Sequence, residues 1–114
     1  MDKNMPSADL RGEDLSGEDL SGANMNGVDL TDADLSGACL VGTDLTRARL
    51  RGTLFIGADL TGAILAQTDL EDADFRGTKL DVEKLDISGT RAWDRAQWDP
   101  PVFEALKAKF AKWP

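Results

Sequence analysis

The sequence contains no histidine and no tyrosine, and it has a single cysteine among its 114 residues. Histidine is the commonest general base and metal ligand near neutral pH, so its absence argues against catalysis. The lone Cys39 cannot form an internal disulfide, which fits a reducing cytoplasm. We therefore expect a cytoplasmic protein that is not an enzyme and that uses neither a metal nor a cofactor.

Long apolar runs and positive charge are also scarce. No stretch approaches the roughly 18 apolar residues of a transmembrane helix, and residues 1–7 are polar, without the apolar core of a signal peptide. The 21 acidic residues outnumber the 13 basic ones, for a net charge of -8. Binding to nucleic-acid phosphates depends on lysine and arginine, so we expect no direct nucleic-acid binding. Because no long apolar run is present, we also expect no membrane partner.

What the sequence does contain is a large apolar residue at every fifth position from Leu10 to Leu85. A small residue lies two positions before most of these centres, a carboxylate often lies one position before, and glycine often lies two positions after. A period of five matches neither the 3.6 residues of a helical turn nor the two-residue alternation of a strand. The pattern therefore predicts a solenoid of sixteen turn-bearing units over residues 8–87.

Segments such as 33–37 (ADLSG) and 58–62 (ADLTG) resemble the Ala-Asp-Leu-X-X consensus of the pentapeptide-repeat family. The resemblance implies an all-β solenoid, a right-handed quadrilateral β-helix of about four coils with the apolar centre and the small residue pointing inward. The chain then divides into an N-terminal lead-in (1–7), the β-helix (8–87), a linker (88–98) and a C-terminal helical cap (99–114).

A coil of four units places residues that are twenty positions apart on top of one another. One interior column is then predicted to contain Leu15, Leu35, Phe55 and Phe75. Glu13, Glu18 and Glu83 occupy inward positions where burial of a carboxylate would be costly. Because they lie in the first and last predicted coils, we interpret them as end effects and not as an active site.

The five-residue pattern stops after Ile87, and a helical pattern follows. Asp99 before two prolines is typical of a helix N-cap followed by first-turn prolines. Four apolar residues then recur at helical spacing, namely Phe103, Leu106, Phe110 and Trp113. We predict a short α-helix whose apolar side either covers the last coil as a lid or forms a homodimer contact. A membrane-surface helix is the weakest alternative, because the apolar stripe is short and the chain is acidic.

Leu54 and Ile56 flank the inward Phe55, so both should face outward in columns that otherwise hold polar residues. The neighbouring carboxylates of the first of these columns are Asp14, Asp34 and Asp74. We predict that these five residues form a candidate contact surface for a protein partner.

Arg47, Arg49 and Arg51 form the one basic cluster inside the repeat. The twenty-residue offset places Arg49 between two aspartates and Arg51 beside Glu71. We interpret the cluster as a ladder of cross-coil charge pairs and not as an anion site.

Two functional classes follow from the resemblance. Some pentapeptide-repeat proteins bind DNA gyrase or topoisomerase IV by imitating duplex DNA, and thereby confer resistance to quinolones or toxins. The units carry a net charge of -10, close to the roughly eleven charges of B-DNA over a four-coil height of about 19 Å. That height is only five or six base pairs. We therefore expect a non-catalytic protein-interaction or scaffold module of unknown partner, with gyrase modulation as the alternative.

Overall fold

The structure is a computed structural model, and it describes residues 2–111. Trp113, one of the predicted helix contacts, lies outside these residues. The backbone is joined by parallel single-residue bridges, the first between Asn4 and Asn24. Each bridge as far as that between Asp59 and Lys79 joins residues twenty positions apart, so four five-residue units complete one coil.

Each unit supplies one short extended side and one corner. The N–H of Leu35 donates to the carbonyl of Leu54 in the next coil at 2.7 Å, and the N–H of Leu54 donates back to Ala33 at 3.0 Å. The corner follows because Gly37 has a φ of 68° and the Ala38 N–H returns to the Leu35 carbonyl at 3.0 Å. This φ is in the left-handed region that glycine adopts without steric cost.

The outward residue before each apolar centre defines the four flat sides of the tube. Side 1 contains Asn4, Asn24, Asp44, Ile64 and Asp86. Side 2 contains Asp9, Asp29, Arg49, Asp69 and Arg91. Side 3 contains Asp14, Asp34, Leu54, Asp74 and Gln97. Side 4 contains Asp19, Cys39, Asp59 and Lys79.

The apolar centres fill the tube. The predicted column of side 3 is confirmed, since the rings of Phe55 and Phe75 stack with centroids 4.8 Å apart and Leu15 and Leu35 are buried below them. A further ring, that of Trp98, stacks on Phe75 at 4.3 Å and was not foreseen from the repeat. The carboxylates Glu13, Glu18 and Glu83 are exposed, as expected of end effects.

Threonine replaces alanine at some inward positions. At positions 43 and 53 no polar atom is left unpaired, whereas the Thr90 hydroxyl in the last coil is buried without a hydrogen-bond partner. Thr43 and Thr53 are fully buried, and their hydroxyls donate to the main-chain carbonyls of Leu20 and Leu30 at 2.7 and 2.8 Å. Burial of a hydroxyl is tolerated here because each one has a hydrogen-bond acceptor.

The coil is longer at both ends than the boundaries 8–87 imply. Within the lead-in 1–7, the N–H of Met5 donates to the Asn24 carbonyl at 2.9 Å, so residues 3–7 belong to the first coil. The segment 88–98 is not a linker, because Arg91 and Gln97 bridge to the coil below. The bridge spacing there grows from 20 to 22 and 23 residues, since short insertions between the sides hide the repeat from sequence inspection.

The last coil ends in a 3-10 turn, Trp93–Arg95, and is followed by helix α1, Pro100–Ala111. The Asp99 carboxylate does not cap this helix as its position suggests. It instead accepts a hydrogen bond from the Gly77 N–H at 3.0 Å. One coil below, the equivalent N–H of Gly57 donates to the main-chain carbonyl of Arg76 in the next coil. Within residues 2–111, no helix is long and apolar enough to cross a membrane.

Helix α1 lies over the end of the tube. Leu106 is fully buried in the core, and the rings of Phe103 and Phe110 pack against Trp93 with centroids 5.8 and 4.5 Å away. On the same helix, the Lys109 ammonium donates to two main-chain carbonyls at 2.7 Å. The helix is therefore fixed to the last coil by both apolar and polar contacts.

Candidate functional site

The predicted contact surface lies on side 3. Leu54 and Ile56 have 37 and 39% of their surface exposed, whereas Phe55 between them is buried. Successive residues of an extended segment point to opposite faces, so a buried centre forces both of its neighbours outward. We call Leu54 and Ile56, together with Asp14 and Asp34, the contact patch.

Hydrogen bonds hold the carboxylate of Asp14, at the acidic end of the contact patch, in its charged form. The Oδ1 atom of Asp14 accepts hydrogen bonds from the hydroxyl and the main-chain N–H of Ser16 at 2.6 and 3.1 Å. These bonds favour the charged form and lower the pKa of Asp14 below its ordinary value. Asp34, one coil higher and partly buried, accepts the Ser36 N–H at 2.9 Å.

Asp74 does not belong to this surface as the sequence suggested, because only 4% of it is exposed. The Arg76 side chain lies over it, with Nε 2.9 Å from Oδ1 and Nη2 2.6 Å from Oδ2. The hydrogen bonds from Arg76 are the largest cause of the lowered pKa of Asp74. Arg76 is itself exposed, so this end of side 3 presents a cation to solvent.

One exposed apolar residue escaped the sequence analysis. Val41, on side 4, has 38% of its surface exposed. It directly follows the centre Leu40, just as Ile56 follows Phe55, in a position where serine and threonine are common. The valine at this position is a departure from the repeat that the sequence alone shows. Two positions before Val41 lies Cys39, a smaller and weaker hydrophobe than the Leu54 that precedes Ile56.

Side 2 collects nearly all the arginine of the chain. Six of the seven arginines lie on it or at its edges, namely Arg11, Arg47, Arg49, Arg51, Arg91 and Arg95. The expected cross-coil pairs are present, since Arg51 lies 2.9 Å from Glu71 and Arg49 lies 3.7 Å from Asp29. The linear sequence hides this segregation because the six residues are spread over more than eighty positions.

The remaining three sides are correspondingly acidic. Between residues 8 and 67 they carry no basic residue and seven acidic ones, namely Glu13, Asp14, Glu18, Asp19, Asp34, Asp44 and Asp59. The tube therefore has one mixed, arginine-rich side and three negative ones.

Comparison with known families agrees with this geometry. Pentapeptide repeats match residues 8–47 and 43–81, in eight copies. The chain belongs to the pentapeptide-repeat family. Solved members share its architecture, which confirms the right-handed quadrilateral β-helix with a short C-terminal helix.

Two solved pentapeptide-repeat proteins from cyanobacteria resemble the chain closely in structure. Rfr23 from Cyanothece 51142 is 27% identical with a TM-score of 0.78, covering 84% of this chain and 64% of its own. The protein alr5209 from Nostoc PCC 7120 is 30% identical with a TM-score of 0.65, covering 85% of each chain. The chain thus spans a little under two thirds of Rfr23.

A more distant likeness carries no functional argument. QnrB1, a plasmid-mediated fluoroquinolone resistance protein, is 19% identical with a TM-score of 0.38, covering 94% of this chain and 65% of its own. Curated protein sequences give no match.

Proposed function

We propose that this pentapeptide-repeat protein is a non-catalytic interaction module that binds a protein partner through the contact patch of side 3. The observation that carries the proposal is the adjacent pair Leu54 and Ile56, each more than a third exposed on a tube whose outer surface is otherwise largely polar. Within residues 2–111 the tube interior is filled by apolar side chains, which leaves the outer surface for binding. This arrangement supports binding between surfaces and not catalysis.

The charges around the pair define the kind of partner surface that fits. Asp14 and Asp34 lie on one side of Leu54, and the exposed Arg76 lies beyond it on the other. A complementary surface would present an apolar side chain between a basic and an acidic group. Such charge pairs contribute more to orientation and association rate than to affinity.

Affinity capture from the native host tests this proposal. The tagged wild-type protein is compared with the double variant Leu54→Ser/Ile56→Ser, and Val41→Ser on side 4 is the matched control. We expect a specific partner that the wild type and Val41→Ser retain and the double variant loses. Equal recovery of that partner by all three proteins would refute the contact patch.

We further propose that helix α1 serves as a lid, and not as a homodimer contact. Leu106, Phe103 and Phe110 all face the last coil, which supports this assignment. Removal of residues 99–114 should then cause aggregation or a large drop in melting temperature. A truncated chain that stays folded, and sediments as a monomer where the full chain sediments as a dimer, would instead establish the dimer contact.

Gyrase modulation is the second candidate, favoured by one observation. Three sides of the tube carry seven carboxylates and no base over residues 8–67, which resembles the continuous negative charge of a DNA duplex. The arginines of side 2 interrupt that resemblance. A DNA supercoiling assay decides the matter, because absence of any effect at tens of micromolar protein, with and without a quinolone, would remove this candidate.

A further inference from the structure

The corners of the tube differ in a way that singles out side 2. Between sides 3 and 4 the corner residues are all glycine, namely Gly17, Gly37, Gly57 and Gly77. Six residues other than glycine have a positive φ within residues 2–111, and all of them border side 2, namely Ser7, Asp32, Arg47, Gln67, Asp72 and Ala92. Side chains are sterically disfavoured in this conformation. Their confinement to one side suggests that the side chains at these corners have a role.

Side 2 also contains grooves. Two open grooves meet there and share Arg11, Asp29 and Arg49. Arg47 lines one of them, and Arg91 lines the other. The two grooves together run along the tube from its first coil to its last, a distance of about 19 Å at about 4.8 Å per coil.

Three guanidinium groups in these grooves are available to a ligand. Within residues 2–111, Arg47 and Arg91 have no carboxylate within 4.0 Å. Arg49 is 75% exposed in its side chain, and its distance of 3.7 Å from Asp29 is long for a charge-assisted hydrogen bond. Arg11 and Arg51, in contrast, have close carboxylate partners at 2.9 Å.

We propose that side 2 binds an extended acidic segment of a partner protein, with carboxylates of the segment meeting Arg47, Arg49 and Arg91. This surface is separate from the contact patch and does not depend on it. Arg49 and Arg91 lie two coils apart, which is about 9.6 Å at about 4.8 Å per coil. Three residues of an extended chain span about 10 Å at about 3.3 Å each, so acidic residues at positions i and i+3 match this spacing.

The groove fits a linear peptide better than the other anionic ligands. It is open to solvent along its length, whereas small-molecule sites enclose most of their ligand. Its lining residues include no aromatic side chain on which a nucleic-acid base could stack.

Fluorescence anisotropy tests the proposal with a labelled peptide of eight residues. The probe carries glutamate at positions 2, 5 and 8 and serine and glycine elsewhere; the comparison probes carry glutamine at those positions or are oligo-dT of similar length. We expect saturable binding of the glutamate peptide at low ionic strength that weakens by about tenfold or more in 0.5 M salt, because exposed charge contacts are screened.

Variants assign the binding to side 2. Arg49→Gln should weaken binding of the glutamate peptide by about tenfold, and Arg47→Gln/Arg91→Gln by more, since each loses bidentate contacts. Arg49→Lys should give an intermediate loss because it keeps the charge without the fork. Lys79→Gln, which makes the same change of charge on side 4, should bind as the wild type does.

Several outcomes would overturn the proposal. These are no saturable binding up to millimolar peptide, equal binding of the glutamine peptide, tighter binding of oligo-dT, or an equal effect of Lys79→Gln and Arg49→Gln. Circular dichroism of each variant checks the fold.

Discussion

Trp98 stacks on Phe75, with ring centroids 4.3 Å apart and ring planes 5° from parallel. A strict repeat would place residue 95 in that position. Short insertions follow Leu80, but an aromatic ring still occupies the next level of the column. The Trp98 indole N–H donates to the Trp93 carbonyl at 2.9 Å. The last level of the tube is thus built by a segment that has lost the repeat but keeps its packing.

Truncation of this ring should strongly destabilise the protein. We expect Trp98→Ala to lower the free energy of unfolding by about 3–5 kcal/mol, because it removes a buried aromatic side chain and leaves a cavity above Phe75. Trp98→Phe retains a stacking ring and should cost less than half as much. Urea denaturation measures both, and similar losses for the two variants would contradict the stacked column.

The Lys109 ammonium fixes helix α1 to the last coil through the carbonyls of Val82 and Leu85. Lys109→Ala should therefore lower the free energy of unfolding by about 1–3 kcal/mol, since it leaves partly buried carbonyl groups unpaired. Lys107→Ala is the control, because the contacts of Lys107 with the exposed Glu104 and with the Phe103 ring lie within the same helix. It should lower stability by less than Lys109→Ala does. Equal effects in thermal denaturation would argue against the docking contact.

The sequence predicts the tube well because every coil as far as residue 80 obeys the same five-residue rule. Offsets of twenty residues correctly place Phe55 under Phe75 and Arg51 beside Glu71. The rule fails where its spacing changes, so it does not identify residues 88–98 as part of the last coil. It also says nothing about side-chain conformations.

At the candidate site, the repeat predicts which side chains face outward but not the conformations that they adopt. The outward direction of Leu54 and Ile56 follows from the buried Phe55 alone. The burial of Asp74 does not, because it depends on the direction in which the Arg76 side chain lies. The arginine-rich side could have been found by sorting all six arginines by their column, but the two in the last coil lay beyond the recognised repeat.

Acid should destabilise the folded state through its hydrogen-bonded aspartates. The side-chain hydrogen bond from Arg11 lowers the pKa of Asp9 to about 2, and similar bonds lower the pKa of Asp14, Asp19 and Asp59. Because these values lie below the unfolded value of 3.8, the folded state binds fewer protons. Its stabilisation is therefore complete above about pH 4 and is lost as the pH falls toward about 2.

Carboxyl-detected NMR titration checks this behaviour residue by residue. We expect Asp9 to titrate near 2 in the wild type and closer to 3.8 in Arg11→Gln, with Asp59 unchanged. Titration of Asp9 at its ordinary value in both proteins would show that the pair with Arg11 does not form.

Replacement of Arg47 by glycine should raise the stability of the fold and weaken the binding of an acidic peptide. The Arg47 φ of 61° is disfavoured for any residue with a Cβ atom, so Arg47→Gly should raise the free energy of unfolding by about 1 kcal/mol. The same variant should weaken the binding of an acidic peptide to side 2. Chemical denaturation measures the first effect, and a loss of stability would contradict the interpretation of this corner as strained.

Site-specific photo-crosslinking tests most directly whether a protein partner binds the outer surface of side 3. A benzophenone amino acid is placed at position 56 in the contact patch, or at the exposed position 61 beside side 4, and cells of the native host are irradiated. We predict one discrete crosslinked protein from position 56 that position 61 does not give. The same product from both positions, or no product from position 56, would contradict the account.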